Sequence, residues 1–185
     1  MTKGELRAQV ALQVKNLSPV YCREADEAIC RGVLHSEPYR RARTVFCYVG
    51  TDREVDTMPI LRAALREGRT VAVPLCTAPG VMEARQITGV GDLVSGKYGI
   101  LAPRASCPVL EPEEIGVAVV PCCTGNGRGE RLGYGGGYYD RYLPRTRCPA
   151  LLLCRSRLVH EDIPTEAHDA RMDYLVTELG VQACQ

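Results

Sequence analysis

Apolar residues in this chain gather in short unbroken runs, and these alternate with longer stretches of helix-forming composition. Thr44 to Val49 reads TVFCYV, with no polar alternation after its first residue, which predicts a strand covered on both faces. Val117 to Val120, Ala150 to Cys154 and Tyr174 to Thr177 read the same way, the last as the final strand. Residues Lys3 to Val14 have helix-forming composition. Ser18-Pro19 supplies an N-cap and a first-turn proline for a second helix through about Leu34. Thr57 to Arg66 predicts a helix capped by Thr57 and ended at Gly68, and Thr70 to Val73 a strand stopped by Pro74. Met82 to Thr88 reads as a further strand and Tyr138 to Leu143 as a short helix, while glycines and prolines between Ala78 and Pro112 mark turns.

Strand, helix and strand from Thr44 to Val73 make a βαβ unit, whose crossover is right-handed and whose strands run parallel. The expected class is α/β: a mostly parallel open sheet with helices on both faces, a three-layer α/β/α arrangement forming one domain over residues 1–185. Ligands of such sheets sit beyond the carboxyl ends of the strands, so chemistry is expected after Val49, after Val120 and after the last strands.

The glycine distribution singles out one segment. Gly125, Gly127, Gly129, Gly133, Gly135, Gly136 and Gly137, seven of the chain's 18 glycines, lie between a predicted strand and a predicted helix. Glycine lets backbone approach a ligand closely, and successive N–H groups form a concave cradle for phosphate oxygens. Arg131 adds a forked cation for the same anion, and Asp140 closes the run with a carboxylate able to hold Mg²⁺ against phosphate. Residues Gly91 to Lys97 match the first seven positions of a P-loop, but Tyr98 stands where its Ser/Thr belongs, and Tyr138 takes the place of the third glycine of a dinucleotide fingerprint. Neither motif is kept.

Composition narrows the rest. With 23 basic and 22 acidic residues the net charge is +1, which gives no global field to draw in nucleic acid or anionic lipid. The apolar runs are far below the roughly 20 residues of a membrane span, and the first residues lack the apolar core of a secretory signal. A cytoplasmic chain that contacts neither membrane nor nucleic acid is expected. The 10 cysteines contain no C-x-x-C pair and read as free thiols, mostly small core residues. A catalytic thiol at Cys122 or Cys123 is the alternative for that pair.

Taken together, Arg131-Leu-Gly-Tyr-Gly-Gly-Gly-Tyr-Tyr-Asp140 and the Lys3-x-x-x-Arg7 start resemble the 5-formyltetrahydrofolate cyclo-ligase family, also called methenyltetrahydrofolate synthetases. The resemblance extends to Tyr48 to Thr57 with Glu54, to Gly99 to Pro103, to Val119-Val-Pro121, and to Pro164-x-x-x-His168-Asp169 with Asp173. It implies an ATP- and Mg²⁺-dependent conversion of 5-formyltetrahydrofolate, with or without a polyglutamate tail, to 5,10-methenyltetrahydrofolate by a monomer. Carried over residue by residue, Lys3 and Arg131 are the catalytic cations. ATP is contacted by Lys3, Arg7, Arg131, Leu132, Gly133, Tyr134, Gly135, Gly136, Gly137, Tyr138 and Tyr139. The folate is faced by Val49, Glu54, Tyr134, Gly135, Gly136, Gly137 and Tyr138, and Asp140 and Asp173 bind magnesium. Gly125 and Asn126 stand where the family has Phe-Asp, and losing a buried aromatic and a charge there implies a looser loop or an altered nucleotide affinity.

Other readings stay open on the residues alone. Lys3 and Arg7 also fit a solvated helix face, Glu54 a helix N-terminus and Asp173 a turn cap. Arg128, Arg131, Arg141, Arg145 and Arg147 interleave with Tyr134, Tyr138, Tyr139 and Tyr142 in the manner of an RNA- or nucleotide-binding surface without ligase activity. Sugar-phosphate isomerisation or acyl transfer on an α/β scaffold is a third class.

Overall fold

A computed structural model describes residues 1–96 and 99–185. Lys97 and Tyr98, on which the P-loop comparison turns, lie outside the described residues. The helices are α1 (Lys3–Lys15), α2 (Pro19–His35), α3 (Glu37–Arg41), α4 (Met58–Arg66) and α5 (Tyr138–Tyr142). The strands are β1 (Thr44–Cys47), β2 (Thr70–Ala78), β3 (Val81–Ile87), β4 (Leu93–Ser95), β5 (Leu101–Pro103), β6 (Val109–Leu110), β7 (Val117–Val120), β8 (Thr124–Gly125), β9 (Arg131–Leu132), β10 (Ala150–Leu153), β11 (Tyr174–Thr177) and β12 (Gly180–Ala183).

Eight strands form one sheet in the order β12-β11-β10-β7-β1-β2-β3-β6. The five central strands, from β11 to β2, pair in parallel, and β12, β3 and β6 add antiparallel edges. The unbroken apolar runs follow from this geometry. Val45 and Cys47 point into a core under α2 and α4, with Ile29, Val33, Ile60 and Leu61. Phe46, Ala118, Val120 and Leu152 point into a second core under α1 and α5, with Leu6, Val10 and Tyr142. Every central strand thus spends both faces on burial, as the three-layer expectation requires.

Three sequence expectations are corrected. Pro74 does not stop β2, which runs on to Ala78; β1 pairs β2 only as far as Ala72, so the missing proline donor falls where β1 no longer flanks the strand. Thr57 stands at the N-cap of α4 without capping it, because its hydroxyl donates to the Tyr48 carbonyl (2.6 Å) and accepts from the Gly50 amide (3.1 Å). Tyr174 to Thr177 is not the last strand, since β12 turns back along it.

Candidate functional site

The start of α1 is fixed by a capping box in which the Thr2 hydroxyl accepts from the Glu5 amide and the Glu5 carboxylate from the Thr2 amide. With Leu6 and Val10 buried on the sheet, Lys3 and Arg7 project together, one turn apart, toward two loops. Lys3 Nζ reaches Asp169 Oδ2 at 2.7 Å and Glu166 Oε2 at 3.0 Å. Arg7 Nε donates to the Gly133 carbonyl at 2.8 Å. Ala170, next after Asp169, gives its amide to Asp140 Oδ1 (3.1 Å), so the 166–170 turn ties Lys3 to the glycine segment.

Within that segment Arg131 is buried, its side chain 5% exposed. Nη1 donates to the Pro121 carbonyl at 3.2 Å and Nη2 to both Asp140 carboxylate oxygens at 3.3 Å, while the guanidinium lies 5.4 Å from the Tyr139 ring centre. Its Nε is buried with no partner among the described residues. Gly135, at φ +102°, sits against the Arg7 guanidinium, and Arg141 Nη1 donates to the Gly136 carbonyl at 3.1 Å. A side chain at Gly133 or Gly137 would collide with Arg131 or Arg141. Three guanidinium groups therefore converge on five residues of glycine-rich backbone, and the sequence reading had not included Arg141 among the site residues.

A second group gathers at the carboxyl ends of β1, β7 and β10. Tyr48, Glu54, Cys122, Cys123, Cys154 and Arg155 line one pocket. The Glu54 carboxylate accepts from the Thr51 amide at 2.9 Å, and burial pushes its pKa above the usual carboxylate value despite that bond. Tyr134, half exposed, donates its hydroxyl to the Cys122 carbonyl at 3.2 Å and so links this pocket to the glycine segment.

Several assignments change in character. Leu132 is 1% exposed, so any nucleotide contact there falls to its backbone, and Val49 packs against the core under α2 and α4. The Asp173 carboxylate accepts from the Ala150 amide (2.8 Å) at the amino end of β10, while its neighbour Met172 donates its amide to the Gly129 carbonyl (2.9 Å). Asp173 lines a separate cavity of about 260 Å³, which it shares with Ala170. Cys122 is not an activated thiol, because its contact with Cys154 and its burial hold the pKa well above the ordinary thiol value. Tyr142 is buried and Tyr138 and Tyr139 pack on the second core, so these rings do not form a base-stacking surface. Gly125 and Asn126 do not loosen the loop: a side chain on Gly125 would strike Leu152, and Asn126 is fully buried with four hydrogen bonds.

The residues match the 5-formyltetrahydrofolate cyclo-ligase family over residues 1–178. The chain belongs to that family. The family resemblance and the ligase class expected from the glycine motif are therefore borne out. The enzyme named 5-formyltetrahydrofolate cyclo-ligase of Mycolicibacterium smegmatis is 31% identical over 95% of the chain and 93% of its own length. The Arabidopsis thaliana relative, named as mitochondrial, is 30% identical over 97% of the chain and 75% of its own length. In structure, the 5,10-methenyltetrahydrofolate synthetase of Aquifex aeolicus superposes with a TM-score of 0.87 at 28% identity, covering 100% of this chain and 94% of that one. No helix among the described residues is long and apolar enough to cross a membrane.

The Lys3 contact carries a pH dependence. Burial opposes charge at Asp169, but hydrogen bonds from Lys3 and the Glu166 amide outweigh it and bring the carboxyl below its ordinary 3.8. For Lys3, burial opposes charge, but its hydrogen bonds to the Asp169 and Glu166 carboxylates outweigh it and raise the ammonium above 10.5. The Asp169 contribution is present above its unfolded pKa and lost as pH falls through the lower folded value; the Lys3 contribution is lost only in strong alkali. Since Lys3 is about a quarter exposed, Lys3→Met is expected to cost at most ~1 kcal/mol at pH 7. Thermal unfolding of both proteins should show that gap closing below about pH 4, and a gap unchanged at pH 3 would contradict the ion pair.

Proposed function

We propose that this chain closes the ring of 5-formyltetrahydrofolate to give 5,10-methenyltetrahydrofolate, with ATP consumed and ADP and phosphate released. The observation that carries this reading is the convergence of Arg7, Arg131 and Arg141 on the Gly133–Gly137 backbone, beside a pocket that holds Glu54. An amide-like formyl oxygen is a poor leaving group. Transfer of the γ-phosphoryl group to that oxygen makes the formyl carbon electrophilic; N10 then bonds to the carbon and releases its proton to solvent, and the carbon–oxygen bond breaks as the oxygen departs with phosphate. Such a transfer needs positioning and charge neutralisation more than covalent help, which accords with a site lacking an activated nucleophile.

The residues suit ATP. Arg131 Nε is a buried donor without a partner among the described residues, and glycine backbone packed against three cations leaves a polyphosphate both approach and compensation. Arg131 and Arg7 would bind the phosphates, and Lys3 would hold the 166–170 turn against them. Magnesium, when bound, would offset phosphate charge. Asp140 fits that role, and Asp173, which accepts from the Ala150 amide, is the second carboxylate that the family likeness implies. Glu54 and Tyr134 would face the folate.

Purified protein is expected to produce the methenyl chromophore from 5-formyltetrahydrofolate only when ATP and Mg²⁺ are both present. A flat absorbance trace in the complete mixture would sink the assignment. Asp140→Asn and Asp173→Asn, titrated with Mg²⁺, separate the two carboxylates: a metal ligand raises the Mg²⁺ needed for half-maximal rate.

A further inference from the structure

The pocket that holds Glu54 is carried by a loop with no regular structure, and side chains from three other elements hold its backbone. Arg155, the second residue past β10, has a side chain only 4% exposed. Its Nε and Nη2 meet the two carboxylate oxygens of Asp26 on α2 at 2.8 and 2.9 Å, and Nη2 also donates to the Glu54 carbonyl at 2.8 Å. The same Asp26 carboxylate accepts from the Asp56 amide at 3.0 Å. Between them, the Val55 carbonyl accepts from Tyr48 Oη (3.4 Å), and the Asp56 carbonyl from the Cys30 thiol (3.2 Å). The backbone of three consecutive residues, 54 to 56, is thus fastened by one ion pair and two neighbours. A bidentate arginine-carboxylate fork fixes orientation as well as distance, which a lone lysine does not do.

We propose that Arg155 is a positioning residue: through Asp26 it sets the backbone from which Glu54 is presented to the pocket. The proposal rests on the reading that Glu54 faces the folate. Arg155 lines the Glu54 pocket and, among the described residues, makes no side-chain hydrogen bond to the Gly133–Gly137 backbone, so its effect is expected on the folate side. Freed from the clamp, the 54–56 segment samples other backbone positions. Glu54 then meets its substrate in only a fraction of molecules, which weakens apparent affinity without altering the nucleotide loop.

The test is Arg155→Met and Arg155→Lys, read in two ways. Amide exchange should become roughly tenfold faster at residues 54–57 in R155M, with β7 and α1 unchanged. The KM for 5-formyltetrahydrofolate should rise about tenfold, with kcat within about threefold and the KM for ATP within about twofold of wild type, the pattern of lost binding rather than lost chemistry. R155K should fall between, since it keeps the charge and loses the fork. Should R155M not fold because it strands the Asp26 carboxylate, the double variant D26N/R155M removes both charges and carries the same two readouts. Unchanged exchange at 54–57 in a folded variant overturns the clamp. Equal rises in both KM values, or neither, overturn its link to the folate side. Wild-type protein inert toward 5-formyltetrahydrofolate would overturn the proposed function instead, and exchange would still decide the clamp.

Discussion

Arg131→Ala is expected to lower kcat/KM by about a thousandfold, the lower end of what an arginine contributes when it stabilises charge on a phosphoryl group in flight. At ~1.4 kcal/mol per tenfold this is ~4 kcal/mol of transition-state stabilisation. The argument is geometric. Two of the three guanidinium nitrogens are anchored, by the Pro121 carbonyl and the Asp140 carboxylate, so the group cannot swing away, and Nε is left without an acceptor among the described residues. A preorganised cation of this kind costs no reorganisation when charge moves onto the phosphate. Alanine also leaves Asp140, half-buried beside the α5 start, without its cation, so some loss of stability accompanies the loss of rate. Arg131→Lys separates the two effects: the charge survives while the fork and the stacking on Tyr139 are lost, and roughly a tenth to a hundredth of the rate should remain. Steady-state rates taken well below each variant's Tm decide the matter. R131A within tenfold of wild type would remove Arg131 from the chemistry.

What the sequence made legible, and what it did not, follows from the range of the interactions concerned. The runs at Val45, Val117 and Leu151 were readable because each strand buries both faces, and that demand is written locally in apolar side chains. The glycine segment was readable because close contacts, as at Gly125 and Gly129, or a positive φ, as at Gly135, disfavour side chains position by position. β12 was missed because all four of its residues are exposed and β11 is its one strand neighbour among the described residues. Pro74 was misread because its tolerance depends on where the neighbouring strand ends, a fact of topology. Arg155 and Asp26 lie 129 residues apart, and no local pattern announces that pairing. Arg141 was visible as a charge in the segment, but only the folded loop shows that it turns back onto Gly136.

Asn126 gives the second large effect, and there the family's own residue is expected to do harm. The side chain is fully buried: Nδ2 donates to Glu130 Oε2 (2.7 Å) and the Glu161 carbonyl (2.9 Å), and Oδ1 accepts from the Arg128 and Glu130 amides (3.0 and 3.1 Å). Gly129, at φ +76° with the Met172 carbonyl where a side chain would begin, completes the turn that this amide organises. Asn126→Ala leaves these partners unpaired and should cost ~3 kcal/mol, a fall in Tm of roughly 6–12 °C for a chain of this size. Asn126→Asp would keep both acceptor bonds but place a carboxylate 2.7 Å from the Glu130 carboxylate and facing the Glu161 carbonyl. The amide of Asn126 is the main cause that lowers the Glu130 pKa below its ordinary value, so the substitution removes that cause and sets a like charge against the lowering by Arg128 and Arg171. The sign follows: repulsion is full above the carboxylate range and relieved as pH falls and one acid takes a proton. N126D should therefore lose ~2 kcal/mol at pH 7 and less near pH 4, as judged by thermal unfolding. The double variant N126D/E130Q should recover most of the loss, because the glutamine amide can donate to the new carboxylate while the two backbone bonds stay. An N126D protein as stable as the parent at pH 7 would show that the loop does not depend on this amide. A double variant no better than N126D would show that the loss comes from the Glu161 carbonyl rather than from Glu130.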